Sequence, residues 1–250
     1  MFHGLPPLTA DQKGIIGENI IYDDLKKVKG WKAFLPNCYL PKPDGETTEV
    51  DLIFLHETGI YVFESKNYQG WIFGSENQKL WTQSLTDSFG NVRTHKFYNP
   101  LWQNETHIQC LMDLLQDDAI PYYSYIVFGD HCELKDIYLS SSNHHVTYWH
   151  YLLDDVMTTT ASADICLTPD KMKDIYQRLL PYANVSSAEK QRHIENLWAK
   201  RYPVVQSDGT WTCPLCGGVL IERIAQRGNR AGSRFWGCSN YPACHFTYNE

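Results

Sequence analysis

One stretch constrains this chain more than any other: Glu49 to Lys66, EVDLIFLHETGIYVFESK, which reads as a buried β-hairpin with charge at its open end. Val50–Leu55 and Gly59–Lys66 are both β-rich, and the short polar turn His56-Glu57-Thr58-Gly59 separates them. Both strands are apolar almost throughout, which predicts burial on both faces. Yet Asp51 heads the first strand, and Glu64 and Lys66 end the second. An unpaired buried charge costs several kcal/mol, so a fold keeps three of them only for a reason. Glu64 and Lys66 are two apart and project from one strand face. A hairpin sets the start of its first strand beside the end of its second, which brings Asp51 next to Glu64. Two carboxylates and an ammonium on one sheet edge have the composition of a hard-cation site with a general base or charge stabiliser attached.

The flanking sequence supplies further elements. Leu8 to about Lys29 reads as a helix capped by Thr9 or Asp11, with Ile15, Ile16, Ile20, Ile21, Leu25 and Val28 at helical spacing and Glu18 close to the apolar stripe. Ala33–Leu40 reads as a strand, and residues 67–74 with 79–83 as a short strand pair. Tyr68, Trp71 and Trp81 read as covering the open end of the sheet, with stacking on bases as the alternative. Asn99 caps a helix from Pro100 to about Gln116, on which Gln103 and His107 share a face. His107 reads as an ordinary satisfied histidine. Tyr122–Phe128 reads as the last core strand, with short strands at Ile137–Leu139 and Val146–Trp149. His144 and His145 point to opposite faces of any strand and read as loop residues rather than a metal pair. Helices follow over about Tyr151–Thr158, Pro169–Tyr182 and Ser187–Tyr202, the last strongly charged and linker-like.

Gly17-Glu18, Glu49-Val50-Asp51, Glu64-Ser65-Lys66-Asn67-Tyr68-x-Gly70 and Asn99-Pro100-x-x-Gln103-Asn104 occur in this order. Together they resemble the NERD (nuclease-related domain) family, and Asp51 with Glu64-x-Lys66 resembles the PD-(D/E)xK nuclease motif. The likeness spans roughly Ile15 to Phe128. It implies an α/β, restriction-endonuclease-like fold with a mixed central sheet flanked by helices. It also implies that Glu18 and Gln103 face the site alongside Asp51, Glu64 and Lys66. Asp51 and Glu64 would then hold Mg2+ or Mn2+, and the activity would be phosphodiester hydrolysis, most readily of DNA. The alternative is a non-catalytic nucleic-acid-binding or recruitment protein with a vestigial site.

The eight cysteines divide in two. Cys38, Cys110, Cys132 and Cys166 are scattered and read as buried small hydrophobes. Cys213-x2-Cys216 and, after twenty-one intervening residues, Cys238-x5-Cys244 form two knuckles suited to a closed tetrahedral Zn2+ site. About 40 residues hold too little core to fold unaided, so the metal would supply folding free energy. Phe235-Trp236-Gly237-Cys238-Ser239-Asn240-Tyr241-Pro242-x-Cys244 resembles the zinc ribbon at the C-terminus of type IA topoisomerases. Arg223, Arg227, Arg230 and Arg234 interleave with Phe235 and Trp236, which pairs cations for phosphates with rings for bases. The expected organisation is 8–150 for the nuclease-like domain, 151–203 for a helical extension and linker, and 204–250 for the ribbon.

The net charge is −7, with −8 in the first 203 residues and +1 beyond. That balance argues against strong non-specific binding to nucleic acid and leaves room for a local basic path. No apolar run approaches the roughly 18 residues of a membrane span. The N-terminal residues carry no basic segment followed by an apolar one, so the expectation is a cytoplasmic protein without membrane contact.

Overall fold

The computed structural model describes residues 20–227 and 230–249. Glu18, Thr9, Asp11 and most of the expected first helix lie outside the described residues; within them the chain opens in helix over residues 20–25 (α1). Two compact units result, Met1–Val185 and Ser186–Glu250.

In the first unit, β1 (Lys32–Pro41), β2 (Thr47–His56) and β3 (Gly59–Lys66) form an antiparallel meander. β7 (Tyr122–Phe128) and β9 (His144–Tyr148) extend it in parallel, giving the order β1-β2-β3-β7-β9. A second sheet, ordered β6-β5-β4-β8, contains β4 (Gly70–Ser75), β5 (Leu80–Thr86), β6 (Val92–Tyr98) and β8 (Cys132–Tyr138). The expected mixed α/β fold is therefore present. β2 and β3 are buried on both faces, as their unbroken apolar runs require. One face, with Ile53, Leu55, Ile60 and Val62, packs on α2 (Pro100–Leu115) and α4 (Pro169–Ala183). The other, with Leu52, Phe54, Tyr61 and Phe63, packs on Ile21 and Leu25 of α1 and on Leu152 and Val156 of α3 (Trp149–Ser162). Each such side chain contributes about 1.5–3 kcal/mol when fully buried. The segment 151–203 is thus divided: α3 and α4 pack on the central sheet, and α5 (Ser187–Arg201) falls in the second unit.

Two glycines permit close approaches, one in the turn of the hairpin and one just beyond its charged end. A Cβ on Gly59, in the β2–β3 turn at φ +143°, would meet Pro121 O at 2.6 Å. Gly70, at φ +75°, lets the segment after Lys66 press against β5, where a Cβ would meet Ser84 O at 2.2 Å.

Several local expectations are corrected. β6 falls where no strand is expected, because VRTHKFY buries only Phe97 and is ordered by pairing with β5. The strand expected at Ile137–Leu139 begins at Cys132 and ends at Tyr138, set by parallel pairing with β4. His144 and His145 lie in β9 rather than in a loop. Cys38, Cys110 and Cys132 are buried as expected, but Cys166 is exposed, on the α3–α4 connection where its N–H donates to Glu57 O. Trp81 is fully buried, whereas Trp71 is 47% exposed.

The second unit holds α5 and short strands: β10 (Val204–Val205) pairs with β11 (Trp211–Thr212), and β12 (Leu220–Ile224), β13 (Arg234–Cys238) and β14 (Thr247–Tyr248) form a three-stranded sheet. Among the described residues no helix is long and apolar enough to cross a membrane.

Candidate functional site

The β2–β3 register pairs Leu52 with Phe63, and one step further along it Asp51 faces Glu64. Both carboxylates, and Lys66, lie on the α2 side of the sheet by strand alternation. Lys66 Nζ donates to Glu64 Oε1 at 2.6 Å and to Gln103 Oε1 at 3.1 Å. Gln103 Nε2 donates to the same Glu64 Oε1 at 2.7 Å. Asp51 Oδ2 accepts the Ser65 N–H at 2.7 Å, so the carboxylate is held by the backbone between Glu64 and Lys66. Four of the five expected site residues therefore converge. The fifth, Glu18, lies outside the described residues.

Helix α2 is placed for this by its own first turn. Asn99 accepts the Leu101 N–H at 2.9 Å, and Pro100 occupies the first helical position, where its missing N–H costs nothing. The Asn99 amide also donates to Gln78 O at 2.8 Å and Glu76 O at 3.1 Å, stitching the helix to the β4–β5 turn. One turn on, the fully buried Asn104 donates to Val62 O at 2.8 Å and Ser124 Oγ at 2.9 Å, fixing the helix to β3 and β7. In the sequence Asn104 stands only as the last residue of Asn99-Pro100-x-x-Gln103-Asn104, with no role of its own; an amide on the apolar face between Leu101 and Ile108 was the available signal.

Because both Asn104 N–H groups are committed, its oxygen must accept from His107 Nδ1, 3.2 Å away. That fixes His107 as the neutral Nδ1–H tautomer. Its Nε2 is buried without a partner, so the satisfied histidine expected from sequence is satisfied on one nitrogen only. Desolvation lowers His107 to about 4, against a smaller raising pull from Glu64. Desolvation would likewise lower Lys66, but the Glu64 carboxylate outweighs it, with Asp51 adding to the effect, and the ammonium is raised overall. Lys66 is thus a charged donor to Glu64 and Gln103.

The residues fit a hard divalent cation on one observation. Glu64 is 4% exposed, and its Oε2 is buried with no hydrogen-bond partner, 3.8 Å from His107 Nδ1. A buried anionic oxygen left unpaired costs several kcal/mol, and a cation is the partner that removes that cost. Among the described residues the site offers two carboxylates, and the only group of three or more potential metal ligands is the cysteine set below.

His107 yields a prediction. Below its ordinary value of 6.5 the unfolded chain takes up a proton that the folded protein refuses until about 4. Burial of the neutral ring is therefore fully stabilising above that window and loses about 3 kcal/mol as pH falls through it. Urea unfolding in divalent-free buffer should show the stability of the wild type, relative to His107→Gln, falling by that amount between neutral pH and about pH 4. A pH-independent difference would contradict it.

His144 bridges two carboxylates, Glu76 Oε1 through Nδ1 and Glu105 Oε1 through Nε2, each at 2.5 Å, tying β9 to the β4–β5 turn and to α2. Its hydrogen bond to Glu105 leads in raising its pKa.

In the second unit the sulfurs of Cys213, Cys216, Cys238 and Cys244 lie within 4.8 Å of one another. Cys213–Cys244 and Cys216–Cys238 are separated by 3.6 and 3.3 Å. Four sulfurs about 2.3 Å from a tetrahedral zinc stand about 3.8 Å apart, so the cluster is close to a metal-ready geometry. The Gly218 N–H leads in lowering Cys216 to about 6, whereas desolvation raises Cys213 and pushes Cys238 up to about 12, so Cys216 ionises ahead of those two. The ribbon's cations differ in their freedom. Arg223 donates to Cys238 O at 3.1 Å and lies 5.6 Å from the Tyr241 ring, so the ribbon itself holds it. Arg234 pairs with Glu222 at 3.2 Å, while Arg227 and Arg230 are exposed. Trp236 packs against Trp211 with ring centres 5.2 Å apart. Phe235 is half-buried, across the strand pair from Arg223.

Comparison with known proteins gives matches to both units. Residues 13–129 match the family described as Nuclease-related domain, and residues 211–250 match that described as Topoisomerase DNA binding C4 zinc finger. The chain is 33% identical over 190 residues to an uncharacterized protein of Bacillus anthracis, covering 75% of this chain and 85% of that one. Over 35 residues, 14% of this chain, it is 57% identical to DNA topoisomerase 1 of Archaeoglobus fulgidus, of which it covers 5%.

Proposed function

The chain belongs to the nuclease-related domain family and carries a topoisomerase-type C4 zinc ribbon, and on that premise we propose that it is a Mg2+- or Mn2+-dependent nuclease hydrolysing phosphodiester bonds of DNA. The observation that carries this reading is the orphaned buried oxygen Glu64 Oε2, on a carboxylate whose other oxygen accepts from Lys66 and Gln103 and which the strand register sets beside Asp51. Asp51 and Glu64 are the residues that would hold the cation, with Glu18 as a third acidic candidate. When bound, a divalent ion supplies Lewis-acid polarisation of a phosphoryl oxygen and a water of lowered pKa. Gln103 orients Glu64 by donating to it and orients Lys66 by accepting from it, without adding charge. Lys66, charged and half-buried, is suited to neutralise the negative charge that builds on the phosphoryl oxygens rather than to take a proton from water. The ribbon would add affinity for the nucleic acid through its exposed Arg227 and Arg230, with Arg234, Phe235, Trp236 and Arg223 shaping the same module.

A second reading is a nucleic-acid-binding protein without catalysis, since among the described residues the site offers a cation only two carboxylates. One assay separates the two. Linear and circular DNA, single- and double-stranded, are incubated with the protein and a series of divalent ions, with Asp51→Asn as control. Metal-dependent cleavage that disappears in the variant supports hydrolysis. Binding without cleavage in every metal, or equal cleavage by the variant, overturns it.

A further inference from the structure

We propose that the β5–β6 hairpin is a substrate-gripping arm, in which Arg93 and His95 hold phosphates of the nucleic-acid strand and Phe89 at the tip stacks on a base. The proposal deepens the nuclease reading and takes from it the identity of the ligand.

The hairpin is built against the segment that leaves the hydrolytic site. Two residues after Lys66, the Tyr68 ring packs on Phe97 of β6 with centres 4.5 Å apart. Next, Gln69 O accepts from Gln83 Nε2 of β5 at 2.8 Å, and Gly70 presses against Ser84. In the β5–β6 register, His95 lies opposite Gln83 and Arg93 opposite Leu85. Residues 93, 95 and 97 share one strand face. Arg93 and His95 therefore continue outward the same face that Phe97 uses against Tyr68, by roughly 7 Å for each pair of residues. A strand of nucleic acid whose phosphate sat at Glu64 and Lys66 would run on to them within a few nucleotides.

Charge agrees with that path. Residues 79–98 carry Lys79, Arg93 and Lys96 against Asp87 alone, a net of +2 in a chain of −7, with Arg93 on the face of this path and Lys96 on the opposite one, where it donates to Thr82 Oγ1 at 2.6 Å. Cations on an exposed edge strand can also serve only to discourage sheet-to-sheet aggregation. The tip argues against that as the whole explanation, because it displays a large apolar ring. Phe89 is 89% exposed, the most exposed of the large hydrophobic side chains described. It is nonetheless held in an ordered turn: the Asp87 carboxylate accepts the N–H groups of Phe89 and Asn91, each at 2.9 Å, and the Asn91 amide at 3.1 Å. The Gly90 N–H closes the turn on Asp87 O at 3.0 Å. An apolar ring presented on a stiff turn beyond a basic strand matches what single strands require, cations for the backbone and a π-face for the bases.

The test uses the full chain in divalent-free buffer and a short fluorescent single-stranded oligonucleotide. Arg93→Ser/His95→Ser and Phe89→Ser alter exposed side chains, and thermal unfolding checks that each variant is folded. The double variant should bind about tenfold more weakly at low salt, with the log–log salt slope reduced by about 0.7 for each phosphate that is no longer neutralised. Phe89→Ser should also bind about tenfold more weakly, with the slope unchanged. p-Benzoylphenylalanine placed at position 89 should photo-crosslink to the oligonucleotide. Wild-type affinity and slope in both serine variants, or a crosslink to protein in place of DNA, would overturn the arm. The two readings fail differently. If the wild type cleaves nothing in any metal yet the hairpin variants lose binding, hydrolysis falls and the arm stands. If the wild type cleaves and the hairpin variants bind and cleave like it, the arm falls and hydrolysis stands.

Discussion

Glu64→Gln is expected to abolish cleavage, by on the order of a thousandfold or more, while leaving the protein folded and about as stable as before. The substitution keeps the shape and keeps an oxygen where Oε1 accepts from Lys66 at 2.6 Å and from Gln103 at 2.7 Å. It replaces the orphaned Oε2 by an amide and removes the charge. In the metal-free protein that relieves a buried anion while costing Lys66 its nearest counter-ion, and the two effects oppose each other. The metal response separates this from a merely structural role. A ligand that binds only the folded state adds about 2.7 kcal/mol at a hundredfold excess over its Kd, which raises Tm by several degrees for a unit of this size. Mn2+ should therefore raise the Tm of the first unit in the wild type and not in Glu64→Gln. Lys66→Met should behave in the opposite way. It keeps the carboxylates and the metal-induced rise, and loses roughly a hundred- to a thousandfold in rate as the preorganised cation is removed. Cleavage by Glu64→Gln at the wild-type rate, or a full Mn2+ response in that variant, would sink the assignment.

Legibility of this site in the sequence follows from which physical signals are local. Asp51, Glu64 and Lys66 could be joined on paper because strand alternation and hairpin adjacency are short-range rules, and the turn at His56–Gly59 fixes both. The Asn99-Pro100 cap likewise predicts where α2 begins, and so where Gln103 comes to rest. What escaped is ordered by partners far away in the chain. β6 has one buried residue in seven, Phe97, and exists because β5 pairs with it. β8 carries CELKDIY, with no clean alternation, and takes its place from β4, where the register shifts between Ile72 and Gly74. β9 turns His144–His145 into strand because β7 offers it an open edge. Asn104 and the half-satisfied His107 become meaningful only once α2 is docked on β3. The arm proposed above rests on β6, the strand with the weakest sequence signal.

Stripping zinc is expected to unfold the ribbon while the first unit keeps its own transition. The core of this module explains the size of the effect. Its buried apolar cluster is Cys213, Leu220, Cys238 and Phe246, with Trp211, Trp236, Cys244 and Tyr248 packed partly against it. Two of those four are ligands, which leaves Leu220 and Phe246 to contribute about 1.5–3 kcal/mol each. Ordering each residue of the backbone costs about 1–2 kcal/mol, so some forty residues cannot be held by such a core. A structural Zn2+ contributes about 10–16 kcal/mol at neutral pH, which is the missing term. Chelation under reducing conditions, or Cys213→Ser, should therefore abolish the ribbon's contribution to nucleic-acid binding. It should also shift the fluorescence of the Trp211–Trp236 pair, whose ring centres stand 5.2 Å apart. Added Zn2+ should restore both in the chelated wild type and neither in the variant. The measured zinc content should be one per chain. The sulfur separations of 3.6 and 3.3 Å also leave two disulfides as a rival staple. Reductant without chelator distinguishes them, since it dissolves a disulfide framework and leaves a thiolate-bound metal in place. A ribbon that survives chelation but melts in reductant alone would replace the metal with disulfides and would remove zinc from this protein.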